Sequence, residues 1–183
     1  MSGNADTGEC IIHHGIEYFI PGKSVTFSQG VNDTMGEKII LAGDHAGYEM
    51  KEHVRAYLQQ KGFEVVDASA PQLDPADDYP VFGFKVAQAI AKGEFERGIL
   101  MCGTGIGISI AANRYKGVRA ALCTSTELAR MSREHNNANV LVMGGRTTSK
   151  ELAEAMVDTW LTTPFSGERH ARRLGLLDEP PAG

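Results

Sequence analysis

The chain has 183 residues, 42% of them hydrophobic and 22% charged, with a formal charge of -5 at pH 7. That is enough for one sizeable core. The acidic balance argues against nucleic acid as the main partner, because phosphate backbones recruit basic faces, so any anion site has to be local.

No apolar stretch approaches the roughly 20 residues needed to span a bilayer, and "MSGNADTGEC" lacks the basic-then-apolar layout of a signal peptide. Cys10, Cys102 and Cys123 are odd in number and irregularly spaced, which suits neither a disulfide framework nor a zinc site. A cytoplasmic protein with reduced thiols and no membrane segment is expected.

Residues 1–36 stand apart. "IEYFIPGKSVTF" reads as a hairpin about Pro21 and Gly22, "HHG" at 13–15 is too short for a tag or a metal site, and "MGEKIILAG" looks like a natural start at Met35. The segment is read as an extension of unknown role, ahead of a single domain over 37–183. From Lys38 onward the pattern alternates. "KIILAG" (38–43), "FEVVDA" (63–68), "GILMC" (98–102), "VRAALC" (118–123) and "NVLVMG" (139–144) are short apolar runs, as expected of strands covered on both faces.

Helical stretches lie between them. Met50, Val54, Tyr57 and Leu58 share one face, as do Leu152, Ala155, Met156, Thr159 and Trp160. "TSTE" (Thr124 to Glu127) and "TSKE" (Thr148 to Glu151) read as capping boxes with the first threonine as cap, and Pro164 stops the last long helix. Strands alternating with helices imply a parallel sheet with helices on both faces, whose ligands gather beyond the carboxyl ends of the strands.

The residues at those ends carry the chemistry. "GDHAG" puts Asp44 and His45 after the first strand; Asp44 alone would read as an N-cap and His45 as a first-turn residue, but together with the other strand ends they read as a site. The third strand ends at Cys102, followed by "GTGIGIS". Glycines 103, 105 and 107 let the backbone curl so that successive N–H groups point inward, making an anion hole. A dinucleotide turn fits less well, since G-x-G-x-x-G needs glycine where Ile108 stands and the next strand ends without an acidic residue.

Most free cysteines are small buried hydrophobes. A thiol beside a helix N-terminus, however, can have its pKa lowered into the range of roughly 3.5–7.5, so Cys102 reads as a base or nucleophile. Cys123 lacks a glycine loop and is left structural. "SREHNNAN" places His135 and Asn136 at the end of a helix, and Arg146 follows "MGG" at the end of the fifth strand, where it can pair with a carboxylate or hold an anion. In "GERHARR", Arg169 and Arg173 are spaced i,i+4, so on a helix they share a side and can grip a phosphate together, with His170 beside them. No His/Cys/carboxylate set has metal-ligand spacing.

From about Lys38 to Arg173 the motifs "GDHAG", "DYP", "CGTGIGISIAANR", "EHNNANVLVMGGR" and "GERHARR" occur in an order that closely resembles the ribose-5-phosphate isomerase B family, which also includes galactose-6-phosphate and allose-6-phosphate isomerases. The resemblance implies a Rossmann-like three-layer α/β/α sandwich around a five-stranded parallel sheet. It also implies a homodimer with active sites shared between subunits, a tetramer being the larger alternative.

The implied activity is aldose–ketose isomerisation without a cofactor or metal. The substrate would be a phosphorylated sugar, foremost ribose 5-phosphate, with a hexose 6-phosphate or tetrose phosphate as alternatives. A non-catalytic phosphosugar or nucleotide module is the reading from another class. Carried onto this chain, Cys102 is the base at carbon, and Thr104 with the amides from Gly103 through Gly105, Gly107 and Ile108 to Ser109 holds the enediolate oxygen. His135 assists ring opening, Asp44 and Asn136 contact sugar oxygens, and Tyr79 closes the pocket. His45, Arg146, Arg169 and Arg173 gather the phosphate near His170. Residues 1–36 have no counterpart in the family core.

Overall fold

The computed structural model describes residues 10–13, 16–19, 36–70, 72–167 and 169–178, which fall into two units, Met1–Asn32 and Asp33–Gly183. In the first, β1 (Cys10–His13) pairs antiparallel with β2 (Ile16–Phe19), Cys10 opposite Phe19. The hairpin expected about Pro21 and Gly22 falls outside the described residues.

The second unit alternates strand and helix up to its last two helices, which follow one another directly. Its strands are β3 (Lys38–Gly43), β4 (Glu64–Asp67), β5 (Arg97–Cys102), β6 (Ala120–Leu122) and β7 (Val140–Gly144). Its helices are α1 (Tyr48–Gln60), α2 (Tyr79–Ala91), α3 (Ile106–Ala112), α4 (Thr126–Asn136), α5 (Lys150–Thr162) and α6 (Arg169–Asp178). All five strands run parallel in the order β4-β3-β5-β7-β6.

Strand residues alternate between faces, and the sequence uses both. Ile39, Leu41, Ile99, Met101, Leu141 and Met143 pack with Met50, Val54 and Leu58 of α1 and with Met156 and Trp160 of α5. Ile40, Ala42, Leu100, Cys102, Val140 and Val142 pack on the opposite side, with Phe82, Val86 and Ile90 of α2 and Ile108 of α3. The result is a three-layer α/β/α sandwich, and it explains why the strands read as continuous apolar runs rather than alternating ones. No helix among the described residues is long and apolar enough to cross a membrane.

Several boundaries differ from the sequence expectation for local reasons. The caps of α4 and α5 are Ser125 and Ser149, not the threonines before them: each serine oxygen accepts from the amide three residues on, Leu128 and Leu152 at 3.2 Å. Glu127 is thereby one place too early for a reciprocal box and pairs with Arg130 instead. Asp44 is not a helix cap either. Its Oδ1 accepts from Gly47 N–H at 2.9 Å and closes a turn ahead of α1, whose cap is Gly47. β6 is short because Val118 N–H bonds the Tyr115 carbonyl and Arg119 N–H bonds Asn139 Oδ1, leaving neither amide to the ladder.

Candidate active site

The chain leaves β3 toward β4 on one side and returns as β5 on the other, so the strand order reverses between β3 and β5. Crevices outside such a reversal are where open parallel sheets bind ligands. Gly43 lies opposite Met101 in the register, which puts Asp44 and His45 beside Cys102. The approach is close: a β-carbon on Gly47 would lie 2.7 Å from the Met101 backbone, and one on Gly145 would lie 2.7 Å from the Ala46 carbonyl. Only glycine lets the three turns after β3, β5 and β7 meet.

At the tip of β5, Cys102 is 4% exposed. Its sulfur accepts from Gly105 N–H at 3.2 Å, a bond that requires the loop to curl back and is made possible by Gly105 at φ +80°. Thr104 Oγ1 accepts from Ile106 N–H at 3.3 Å. The first four amides of a helix have no acceptor within it; here the first two are used by Cys102 and Thr104, which leaves Gly107 and Ile108. Ser109 N–H is already in the helix, bonded to the Gly105 carbonyl. Tyr79, at the start of α2, lies over this turn, since a β-carbon on Gly107 would meet its ring carbons at 2.6 Å. Arg146 reaches in from the β7 side, its Nη1 3.5 Å from where a β-carbon of Gly103 would be.

His45 is held by a residue that the sequence did not single out. Asp77 Oδ1 accepts both from His45 N–H at 2.9 Å and from its ring Nδ1 at 2.8 Å. That hydrogen bond raises the pKa of the imidazole above the ordinary histidine value, burial opposing it and the nearby Asp44 charge adding to it. Asp44, His45 and Asp77 offer ligand atoms within 4.8 Å of one another, but Asp77 binds His45 and Asp44 binds Gly47, so these atoms serve each other.

Behind them Lys51, 2% exposed, donates to Asp67 at 2.7 Å and pairs with Glu52 at 3.0 Å. Burial favours its neutral form, and the two carboxylates outweigh that and keep it charged. Asp67 accepts from Ser69 N–H at 2.9 Å, and Ser69 Oγ accepts from Gly43 N–H at 3.0 Å, so this chain of bonds ends one residue before Asp44. Asp77 sits two residues before Tyr79 in "PADDYP" and Lys51 on a helix face; neither carries a local signal.

The remaining candidates lie elsewhere. α4 starts beyond the carboxyl end of β6 and stops just before β7 begins, so His135 and Asn136 sit at the amino end of the sheet, about 20 Å from Cys102 by the length of a six-residue strand. There His135 stacks on His170, ring centroids 4.6 Å apart and planes 15° from parallel. Arg169 Nε lies 3.4 Å from His170 Nε2. Burial, then His135 and Arg169, lower the pKa of His170.

Arg169 and Arg173 share the exposed side of α6, whose other side buries His170 and Leu174. A cavity of about 620 Å³ opens at this end, lined in part by Asn113, Tyr115, Arg119, Asn136 and Leu177. Within one chain, then, the residues form two groups. Asp44, His45, Tyr79, Cys102, the glycine loop and Arg146 meet at the carboxyl end; His135, Asn136, Arg169, His170 and Arg173 gather at the amino end.

A family model described as Ribose/Galactose Isomerase matches residues 39–177. Ribose-5-phosphate isomerase B of Escherichia coli is 44% identical over 138 residues, 75% of this chain and 92% of that protein. The crystal structure of a ribose 5-phosphate isomerase from Thermotoga maritima superposes with a TM-score of 0.76 at 52% identity, covering 78% of this chain and 98% of that one. Ribose-5-phosphate isomerase B from Mycoplasma genitalium with bound ribulose-5-phosphate does so at 0.74 and 41% identity, covering 77% and 93%. The chain belongs to the ribose/galactose isomerase family.

Proposed function

We propose that this protein interconverts ribose 5-phosphate and ribulose 5-phosphate through an enediolate, with Cys102 as the base. The observation that carries this is the sulfur at the strand reversal, accepting from Gly105 N–H at 3.2 Å beneath two first-turn amides that have no helical acceptor. Aldose–ketose interconversion needs a base at carbon and donors where negative charge develops, and such preorganised donors are often the largest catalytic term. As a thiolate, Cys102 takes the proton from C2 of the open-chain aldose, the electron pair moves toward the C1 oxygen, and the amides of Gly107 and Ile108, with those of Gly103 and Thr104 beside them, hold the enediolate, while Gly105 N–H stays on the sulfur. The O2 hydroxyl proton passes to the C1 oxygen, and as C2–O2 becomes the carbonyl the proton held by Cys102 is returned to C1. Asp44 and Tyr79 bound the sugar chain, while His45 and Arg146 bind anionic oxygen.

The amino-end group enters from a second copy of the chain. His135 and Asn136 are a strand length from Cys102 in the same chain, so ring opening by His135 and phosphate binding by Arg169, Arg173 and His170 require a homodimer with shared sites. The exposed apolar side chains nearest the loop support this: Ile106 and Ile110 on α3 are 54% and 53% exposed, and Tyr79, Val81 and Phe84 on α2 are exposed too. Such a face normally marks an interface. Residues 1–36 remain an extension to one domain over 37–183, in a cytoplasmic protein.

A panel of ribose 5-phosphate, galactose 6-phosphate, allose 6-phosphate and a tetrose phosphate, compared by kcat/KM with Cys102→Ser as control, tests the proposal. Ribose 5-phosphate should give the highest value, and the serine variant should lose activity on every sugar it is given. Turnover of none of them, or an active Cys102→Ser enzyme, would refute it.

A further inference from the structure

We infer that Asp77 makes His45 a charge-dependent phosphate clamp, fixing its ring so that Nε2 is a donor to the substrate phosphate when the imidazole is cationic and a bare acceptor when it is not. The inference rests on the isomerase reading above, in which His45 contacts the phosphate.

The chemistry follows from one oxygen. A carboxylate only accepts, so the 2.8 Å contact between Asp77 Oδ1 and His45 Nδ1 places a proton on Nδ1. The same oxygen takes His45 N–H at 2.9 Å, so ring and backbone are fixed together and the imidazole has little freedom to turn its other nitrogen toward the carboxylate. With Nδ1 always protonated, Nε2 has two states. In the cation it carries a hydrogen and binds a phosphate oxygen; in the neutral ring it presents a lone pair, which repels one. A histidine without this partner could switch tautomer and keep a donor on Nε2 at any pH.

The magnitudes show what Asp77 contributes. A phosphate monoester takes its second charge near pH 6, and an ordinary histidine loses its charge near pH 6.5, which leaves roughly half a pH unit in which dianion and cation coexist. Asp77 moves the upper edge of that window upward, the direction found for His45. The other charged groups on the elements packed here are Asp44 on the turn before α1, which also favours the cation, and Arg146 on the turn after β7. Cys102 ends the neighbouring strand. Asp77, with 11% of its side chain exposed, is better shielded than His45 at 35%, so the carboxylate acts from behind the ring and leaves Nε2 to the ligand. Asp77 is a positioning residue and does not itself touch the substrate.

Nitrogen NMR of the histidine rings across pH, with His45 assigned from His45→Gln, tests the clamp in the wild-type protein without any variant at Asp77. The expected result is a neutral ring protonated on Nδ1, with a titration above the ordinary histidine value that moves further up when inorganic phosphate is added. A neutral ring protonated on Nε2 would overturn the inference. In Asp77→Asn the titration should fall, and the rise in KM for ribose 5-phosphate at alkaline pH, about tenfold for one lost charge-assisted hydrogen bond, should move down with it while kcat at the optimum holds. A KM profile that ignores a shifted His45 titration would also overturn it. An enzyme inactive on every sugar phosphate would instead refute the isomerase reading, and the NMR titration with inorganic phosphate would still decide the clamp.

Discussion

Cys102 closes β5 and Cys123 follows β6, so a single topology delivers two buried sulfurs to the same end of one sheet. They are opposites in polarity. Cys123 donates, its Sγ 3.6 Å from the Ala121 carbonyl, and burial pushes the thiol up to about 11. Cys102 accepts, with the positive end of the Gly105 amide directed at it, the polarity that an anionic base requires. Exposure does not separate them, at 4% and 1%. The following residues do: glycines curl one loop back over its sulfur, whereas Cys123 is followed by Thr124 and by Ser125, the cap of α4, with no glycine to turn an amide toward it.

The largest expected effect is on the first sulfur. Cys102→Ala should lower kcat by about 10²–10⁴-fold, the usual contribution of a positioned base, with circular dichroism unchanged; a loss of less than tenfold would remove Cys102 from the chemistry. Next comes the loop. Gly105→Ala forces a left-handed residue, costing about 1–2 kcal/mol, and sets a β-carbon 2.5 Å from Leu122 and 3.0 Å from the Met143 backbone. Together these should cost roughly 2–5 kcal/mol in urea denaturation and abolish activity. Gly117→Ala is the control, with φ +79° but open space around it, and should cost only about 1 kcal/mol with activity retained.

Lys51→Met leaves Asp67 without its buried partner. A loss on the order of 3 kcal/mol is expected, and kcat/KM should fall as Ser69 loosens its hold on Gly43; full activity in a destabilised protein would show that the network serves only stability. Cys123→Ala should be smallest, near 1 kcal/mol, with kcat within about twofold of wild type.

The sheet was legible because strands buried on both faces read as apolar runs, and the candidate site at its carboxyl end was legible because "GDHAG" and "CGTGIG" fall at the ends of β3 and β5. What was not legible depends on long-range packing. Asp77 meets His45 across 32 residues, and nothing in "PADDYP" distinguishes it from its neighbour Asp78. The cap positions slipped by one because "TSTE" and "TSKE" offer two hydroxyl residues in succession, and only backbone geometry chooses between them. The separation of His135 from Cys102 was hidden for a different reason: motifs in sequence order do not reveal which end of a strand they occupy, and α4 runs the full depth of the sheet between Cys123 and His135.

Solvent deuterium uptake decides between the two sulfurs. With ribose 5-phosphate in D₂O, wild-type protein and Cys123→Ala should both wash deuterium into the substrate carbon through the enediolate, and Cys102→Ala should not. Exchange by Cys102→Ala at the wild-type rate would mean that the proton leaves carbon to some other base.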